Sequence, residues 1–295
     1  MSGRRHGAPV AVLASRVRRE EKWIMEALER RAAPYEHLDT RTLWRFADDD
    51  AIPPWSVVLN REIAHTRALY AAVTLESRGV RVVNTAAATD VCGDKWRTTL
   101  ALREAGLPVP RTALALSPEA ALGVIEAVGY PAVVKPLNGS WGRRVARVRD
   151  PEMAETLMEY VAALPDPRSN LVYVQELVAD GGRDIRVVVV GGQVAGATYR
   201  SRGAWRANVA LGGSSEFCPV TPEITKLAVT AAEAVGAEIA GVDLIQDVSD
   251  AMFVLEVNDR VEFAGFQEAM GPRADMARLV VEHLLGVGEE GVISC

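Results

Sequence analysis

Residues 254–258 read VLEVN, and residues 240–244 read AGVDL. The first stretch sets Glu256 and Asn258 two positions apart; the second sets Asp243 thirteen positions before Glu256. In an extended strand, side chains two apart point to the same face. Glu256 and Asn258 therefore project side by side, and a neighbouring strand would bring Asp243 next to them. The flanks IAGVDLIQDV and MFVLEVN are too apolar for exposed loops. Acids inside such runs need a partner, because an unpaired buried charge is costly. Three hard oxygen ligands on a sheet suit Mg2+ (or Mn2+) held between protein and nucleotide phosphates. Taken alone, the motif also fits two strand-end acids facing water.

Upstream, PVAVLA (9–14), SVVLN (56–60) and VRVVN (80–84) read as buried strands. They alternate with helices over 20–31, where Trp23, Ile24, Ala27 and Leu28 share a face, and over 66–78. This β-α-β alternation implies a parallel sheet covered by helices, a Rossmann-like α/β domain over residues 1–92. No GxGxxG follows the first strand, so a dinucleotide fold lacks support. A linker helix from Asp94 to Ala105 stops at Gly106 and the prolines 108 and 110. A small α+β subdomain follows to residue 175. It has helices at 118–128 and 151–163, strands at 131–136, 145–148 and 171–178, and a glycine turn at 138–143. A last unit over 176–288 holds strands at 184–192 and 193–200, a polar loop at 201–215, a helix at 221–235, the acid-bearing strands and a helix at 274–285. Residues 289–295 read as a frayed tail. The fold class expected is α/β, an α+β multidomain chain.

Composition narrows the function. Of 295 residues, 49% are hydrophobic and 24% charged, ordinary for a globular enzyme. A net charge of −6 gives no general attraction to nucleic acid or anionic membrane. Local basic groups (Arg143, Arg144, Arg147 and Arg149; Arg183 and Arg186; Arg200, Arg202 and Arg206) suit phosphates or an acidic partner. The three cysteines and four histidines are scattered, against a disulfide framework or a zinc site. Neither a signal peptide nor a membrane span is recognisable, so a cytoplasmic location is expected.

The polar residues that interrupt apolar runs point to phosphate chemistry. Lys135 ends the strand in VVKP and either snorkels or meets an anion. Gly139 and Gly142 let backbone N–H groups approach phosphate oxygens. Lys95, near a helix start, offers a second cation. Gln175 and Glu176 end a buried strand where backbone could meet an adenine edge and a carboxylate a ribose. Arg186, two residues from Asp184, can neutralise charge on a transferring phosphoryl or acyl-phosphate group. Arg202, Arg206 and Asn208 precede Gly212 and Gly213 in a polar loop suited to anions. The chemistry these groups can support is phosphoryl transfer without a protein nucleophile, and no Ser-His-Asp or Cys-His set competes.

The order DKWRTTLALREAGLPVP (94–110), VVKPLNGSWGR (133–143), YVQELV (173–178), GGRDIRVVVVGG (181–192), YRSRGAWRANVALGG (199–213), GVDL and EVN resembles an ATP-grasp ligase. NREIAHTRALYAAVTLESRGVRVVN (60–84) is similar to the N-terminal pre-ATP-grasp domain of the LysX type, the α-aminoadipate–carrier-protein ligases. The same branch includes ribosomal-protein glutamate ligases, and the likeness spans about residues 9–263. It implies ATP bound between the central and C-terminal domains. A carboxylate is phosphorylated and an amine attacks the acyl phosphate, giving an amide, ADP and phosphate. In the LysX type the carboxylate is the γ-carboxyl of the C-terminal glutamate of a small acidic amino-group carrier protein, and the amine is that of α-aminoadipate.

By matching position, the resemblance implies that Lys95 and Lys135 bind phosphates and that Ser140, Trp141 and Gly142 form a lid. Gln175, Glu176, Leu177, Val178, Asp184 and Arg202 would complete the ATP site. Asp243, Glu256 and Asn258 would hold Mg2+, and Arg186, Arg206 and Asn208 would face the reacting phosphates. Asn60, Arg61, Gly212, Gly213, Glu262 and Phe263 would border substrate. Two departures stand out. Leu211 replaces an arginine of the family's glycine loop, and Ala264–Gly265 replace a Lys-Asn pair bordering its amino-acid pocket. The second puts α-aminoadipate in doubt as acceptor and admits a related amino acid, in lysine, arginine or specialised metabolism. The resemblance also implies a homo-oligomer, dimer or tetramer. A small-molecule or protein-tail glutamate ligase, and a nucleotide-binding scaffold without turnover, remain the alternatives.

Overall fold

Short apolar strands alternating with helices build the first layer of the molecule. The structure, a computed structural model, describes residues 7–139, 144–178, 183–200 and 215–290. Strands β1 (Val10–Leu13), β2 (Tyr35–Leu38), β3 (Val57–Asn60) and β4 (Val82–Val83) form a parallel sheet in the order β2-β1-β3-β4. Helices α1 (Arg19–Arg30) and α2 (His65–Glu76) make the crossovers. The sequence YEHL lacks the apolar signature of β1 and β3 because β2 is an edge strand, paired only with β1 and half covered. VRVVN was expected to pair over five residues, but only Val82 and Val83 do.

Two short helices, α3 (Ala86–Cys92) and α4 (Lys95–Glu104), lead out of this domain. Thr85 caps the first by accepting from the Ala88 N–H, and Asp94 caps the second by accepting from the Trp96 and Arg97 N–H groups. The first was not expected from sequence; its seven residues are too few for a periodic apolar face.

Strands β5 (Thr112–Ala115), β6 (Ala132–Pro136), β7 (Ala146–Val148) and β8 (Val172–Glu176) form an antiparallel sheet in the order β5-β8-β6-β7. Helices α5 (Pro118–Val128) and α6 (Pro151–Ala162) start with proline behind capping residues Ser117 and Asp150, the expected grammar of a helix start. They cover one face through Ala132, Val134, Val172 and Val174. The alternate residues Val133, Lys135, Tyr173 and Gln175 therefore turn to the other face.

The third sheet is antiparallel and ordered β11-β10-β9-β12-β13. It comprises β9 (Arg183–Val190), β10 (Gln193–Arg200), β11 (Ser215–Cys218), β12 (Ile239–Gln246) and β13 (Met252–Asn258). Helix α7 (Pro222–Ala234) packs on one face, over Ile185, Val187, Val189, Ala240, Val242 and Leu244. Helix α8 (Ala264–Met270) precedes α9 (Met276–Glu290), which returns to the first sheet. Val280, Val281 and Leu284 of α9 join Val10, Val12, Ile24, Leu28, Val188 and Ile239 in one core. The first and third sheets are thus stitched together by a shared apolar layer.

The last helix was expected over 274–285 with a frayed tail from 289, yet it continues to Glu290. Its glycines at 286 and 288 lower helix propensity. Packing of Leu285 and Val287 against the shared core overrides that. Asn84, also unforeseen, ties the same two units: its Nδ2 donates to the Ile239 and Asp259 carbonyls at 2.7 and 2.5 Å. Its Oδ1 accepts from the Glu238 and Ile239 N–H groups at 2.8 and 3.0 Å, filling its bonding capacity. Among the described residues no helix is long and apolar enough to cross a membrane.

Candidate active site

The face of the third sheet opposite α7 is polar at one end. Cross-strand pairing sets Arg200 beside Asp184, Arg186 beside Asp243, Asp243 beside Glu256, and Gly241 beside Asn258. These residues come from four adjacent strands and share one face, as register requires. Arg186 grips Asp243 with two nitrogens, Nε on Oδ1 and Nη2 on Oδ2 at 3.0 Å. Arg200 Nη2 reaches the same Oδ1 at 3.1 Å, while its Nε donates to Asp184 Oδ1 at 2.6 Å. Burial would raise the Asp243 carboxyl, but the two guanidiniums outweigh it and hold its pKa below the usual range. Burial likewise works against Arg200, and Asp243 with Asp184 still raises its pKa. Gly241 is required here: a Cβ would fall 2.7 Å from Val261 Cγ2 and 3.0 Å from Arg186 Nη1.

The free face of the second sheet supplies the complementary cations. Lys135 Nζ donates to Gln175 Oε1 at 2.7 Å and lies 5.9 Å from the centre of the Tyr173 ring. Gln175 Nε2 donates to Thr112 Oγ1 at 3.0 Å and to the Tyr173 hydroxyl at 3.1 Å. With its nitrogen committed to two hydroxyls, the amide must present its oxygen to the lysine. The Tyr173 hydroxyl also meets Thr99 Oγ1 on α4 at 2.8 Å, so a buried polar chain runs from Lys135 to the helix that begins with Lys95. Lys95 itself donates from Nζ to the Gly139 carbonyl at 2.7 Å and from its backbone N–H to the Leu137 carbonyl at 3.1 Å. Asn138 Nδ2 returns to the Gly93 carbonyl at 2.8 Å. Three bonds therefore fix the base of the glycine turn to the α3–α4 junction.

The two polar surfaces meet around Lys135. Burial lowers its pKa to about 8; Glu256, Asp243 and Asp184 pull it back and Lys95 pushes it further down. This is a desolvated ammonium whose hydrogen-bond partner is a neutral amide, a group that gains most from an incoming anion. A nucleotide phosphate fits that requirement. On the opposite strand Asn258 Nδ2 is 3.3 Å from Glu256 Oε1 and from the Gly241 carbonyl. This leaves its Oδ1 and the Glu256 carboxylate as two neighbouring oxygens able to face a cation. Among the described residues no cluster of three His, Cys, Asp or Glu side chains forms a protein-only metal cage. Two or three oxygens suit a Mg2+ that takes its other ligands from phosphates and water. Both oxygens of Asp243, expected to hold the metal with Glu256 and Asn258, are engaged by arginines, so it would serve a cation by sharing.

Other expected residues fall elsewhere. Glu176 extends β8 but spends Oε1 on the Arg111 N–H at 2.7 Å, which anchors β5 and leaves one carboxylate oxygen for a ribose. Leu177 and Val178 follow β8, partly exposed, rather than extending the strand. Asn60 is internal, donating to the Ala68 carbonyl at 2.9 Å. Phe263 is 1% exposed and packs with Trp23 in the core. Arg61 is buried beside it, and Glu262 is half-exposed and paired with Arg18 at 2.9 Å. Ser140, Trp141, Gly142, Arg202, Arg206, Asn208, Gly212 and Gly213, with Leu211, lie outside the described residues. Tyr173, Thr99, Thr112 and Gly241 were not anticipated; the alternation that sets Tyr173 and Gln175 on one face was the available signal.

Residues 92–284 match the RimK-like ATP-grasp domain, and residues 10–91 match the LysX pre-ATP-grasp domain. The chain belongs to the RimK-like ATP-grasp family. Within that family it is 34% identical over 277 residues to the glutamate–LysW ligase ArgX of Sulfurisphaera tokodaii, covering 93% of this chain and 97% of the relative. It is 32% identical over 208 residues to the α-aminoadipate–LysW ligase LysX of Sulfolobus acidocaldarius, covering 70% and 75%. Its fold superposes on the crystal structure of a RimK domain ATP-grasp protein from Sphaerobacter thermophilus with a TM-score of 0.80 and 28% identity, over 95% of this chain and all of that one. The ATP-grasp fold, with its pre-ATP-grasp domain, agrees with the fold expected from the sequence. ATP use follows from the fold; the residues that hold ATP and metal are a proposal.

Proposed function

We propose that this protein is an ATP-dependent carboxylate–amine ligase. It would join the C-terminal glutamate of a small acidic carrier protein to the α-amino group of glutamate, α-aminoadipate or a related amino acid. The observation that carries the proposal is the opposition of two surfaces: the partly buried Lys135 on one sheet, and Glu256, Asn258 and the arginine-bound Asp243 on the other. Resemblance to ArgX over nearly the whole of both chains supports a carrier-protein partner and favours glutamate as acceptor.

In this reading Lys135 and Lys95 take the nucleotide phosphates, with Gln175 fixing the first lysine's rotamer. Glu256 and Asn258, with Asp243 sharing, would hold Mg2+, which when bound neutralises developing phosphate charge. Arg186, kept in place by Asp243, would stabilise the oxygens of the carboxylate as it accepts the phosphoryl group. The amine then displaces phosphate. Arg206 and Asn208 are proposed partners of Arg186 on the strength of the family pattern. Exposed arginines such as Arg16 and Arg149 suit an acidic carrier.

Trapping tests the reaction class before the acceptor is known. Enzyme, ATP, Mg2+ and an acidic carrier ending in glutamate, incubated with hydroxylamine, should yield ADP and one hydroxamate on the carrier's terminal glutamate. ADP formed with a small acid, and no hydroxamate on any carrier, would move the assignment to a small-molecule ligase. AMP as the product would overturn the phosphoryl-transfer reading altogether.

A further inference from the structure

The chain has four lysines: Lys22, Lys95, Lys135 and Lys226. Lys22 and Lys226 are exposed. Lys135 sits near the end of β6 on the face turned away from α5 and α6, and its Nζ is held in place. It donates to Gln175 Oε1 at 2.7 Å, and the centre of the Tyr173 ring lies 5.9 Å away. Thr112 and the Tyr173 hydroxyl fix the Gln175 amide, so the lysine faces a neutral oxygen in a set position. A neutral acceptor stabilises an ammonium less than a carboxylate does, and it accepts equally from an uncharged amine.

The acids around Lys135 are largely engaged elsewhere. Asp243 is gripped by Arg186 and Arg200, and Asp184 by Arg200. Glu256 exerts the strongest remaining pull, Lys95 pushes the other way, and burial outweighs both, leaving the lysine at about 8. Near pH 8 about half of Lys135 is free amine, against under about 1% of a solvated lysine. A fixed, desolvated amine is a nucleophile. Its surroundings also collect phosphoryl anions. Lys95 gives one N–H to the Gly139 carbonyl at 2.7 Å, and an ammonium has three. The others can take the phosphoryl end of a small acyl phosphate, which leaves the acyl carbon for Lys135.

We propose that Lys135 is an acylation site for small acyl phosphates, such as acetyl phosphate, when no nucleotide is bound. The Nζ lone pair adds to the acyl carbon. The bond from that carbon to the bridging oxygen breaks, inorganic phosphate leaves with the electron pair, and the surplus Nζ proton passes to solvent. The product is a neutral amide with no charge to offer a phosphate, so acylation switches the enzyme off for nucleotide. That consequence, and protection by nucleotide, rest on the ligase reading above; the reactivity of the lysine does not.

Peptide mass spectrometry tests this on the full wild-type chain and needs no turnover. Enzyme free of nucleotide is treated near pH 8 with acetyl phosphate carrying a heavy-isotope acetyl group, and acetylation is followed at each lysine with time. Lys135 should react at least about tenfold faster than Lys22 and Lys226. In the urea-unfolded chain that advantage should vanish, because burial and the Gln175 contact are gone. Mg-ADP should slow Lys135 about tenfold or more and leave Lys22 and Lys226 unchanged, and acetylated enzyme should lose Mg-ADP binding in proportion to its modification. Acetylation of Lys135 no faster than that of Lys22 and Lys226 in the folded enzyme, or an equal advantage in the unfolded chain, would overturn the proposal. Fast acetylation that Mg-ADP does not slow would leave the acylation site standing and remove nucleotide phosphates from Lys135, and with them the ligase reading of this site.

Discussion

Nucleotide binding should draw a proton from solution, and Lys135 is the group that takes it. Burial sets its pKa at about 8 against an ordinary 10.5. Between those values the unfolded chain holds more protons than the folded one, so this lysine's contribution to stability rises with pH across that window. Phosphate oxygens beside Nζ reverse the effect of burial and restore the charge. At pH 8.5 the free enzyme carries this lysine ~0.8 neutral, and at pH 7 ~0.1 neutral, so binding takes up about those fractions of a proton. The apparent affinity should fall ~4-fold by pH 8.5 and ~10-fold by pH 9 relative to the protonated form. Titrating Mg-ADP into the enzyme in buffers of different ionisation enthalpy reads the proton count directly. Lys135→Met should abolish the uptake along with most of the affinity. Uptake near zero through this range in the wild type, or unchanged uptake in Lys135→Met, would refute the placement of Lys135 against phosphate.

Gln175→Leu removes the lysine's partner and strands two hydroxyls; KM for ATP should rise about tenfold or more, with kcat less affected, in steady-state kinetics. Asn84→Ala deletes four buried bonds between the first and third sheets and should cost about 2–4 kcal/mol in denaturant unfolding, with ATP affinity in the remaining folded fraction unchanged. Gly93→Ala would place a Cβ 2.0 Å from His65 Cε1, so it should loosen the α3–α4 junction and raise KM for ATP. Adding His65→Ala should recover much of that loss, a non-additivity that a double-mutant cycle measures.

The fold was legible where the chain speaks in long apolar runs or clear caps. The helix over Pro118–Val128 and the strands around Lys135, Asp184 and Asp243 follow from periodicity and from proline behind a capping residue. What escaped was decided by tertiary contact. Strand β2 borrows its conformation from β1, and the glycine-bearing end of α9 borrows stability from the core beneath it. The site divides the same way. Alternation alone put Glu256 and Asn258 on one face, and cross-strand pairing delivered Asp243 to it. No one-dimensional pattern could show that Asp243 is already held by Arg186 and Arg200, since those partners lie on other strands. Nor could the motif around Phe263 show that its ring packs into the apolar layer shared by the first and third sheets.

The most direct measurement is the intact mass of a purified acidic carrier protein after incubation with this enzyme, ATP, Mg2+ and individual amino acids, with ADP quantified in parallel. A carrier-amino acid ligase gives one added amino-acid residue on the carrier's C-terminal glutamate and one ADP per carrier, dependent on all components. ADP release that proceeds without a carrier, leaving the carrier's mass unchanged, would contradict the carrier-ligase assignment.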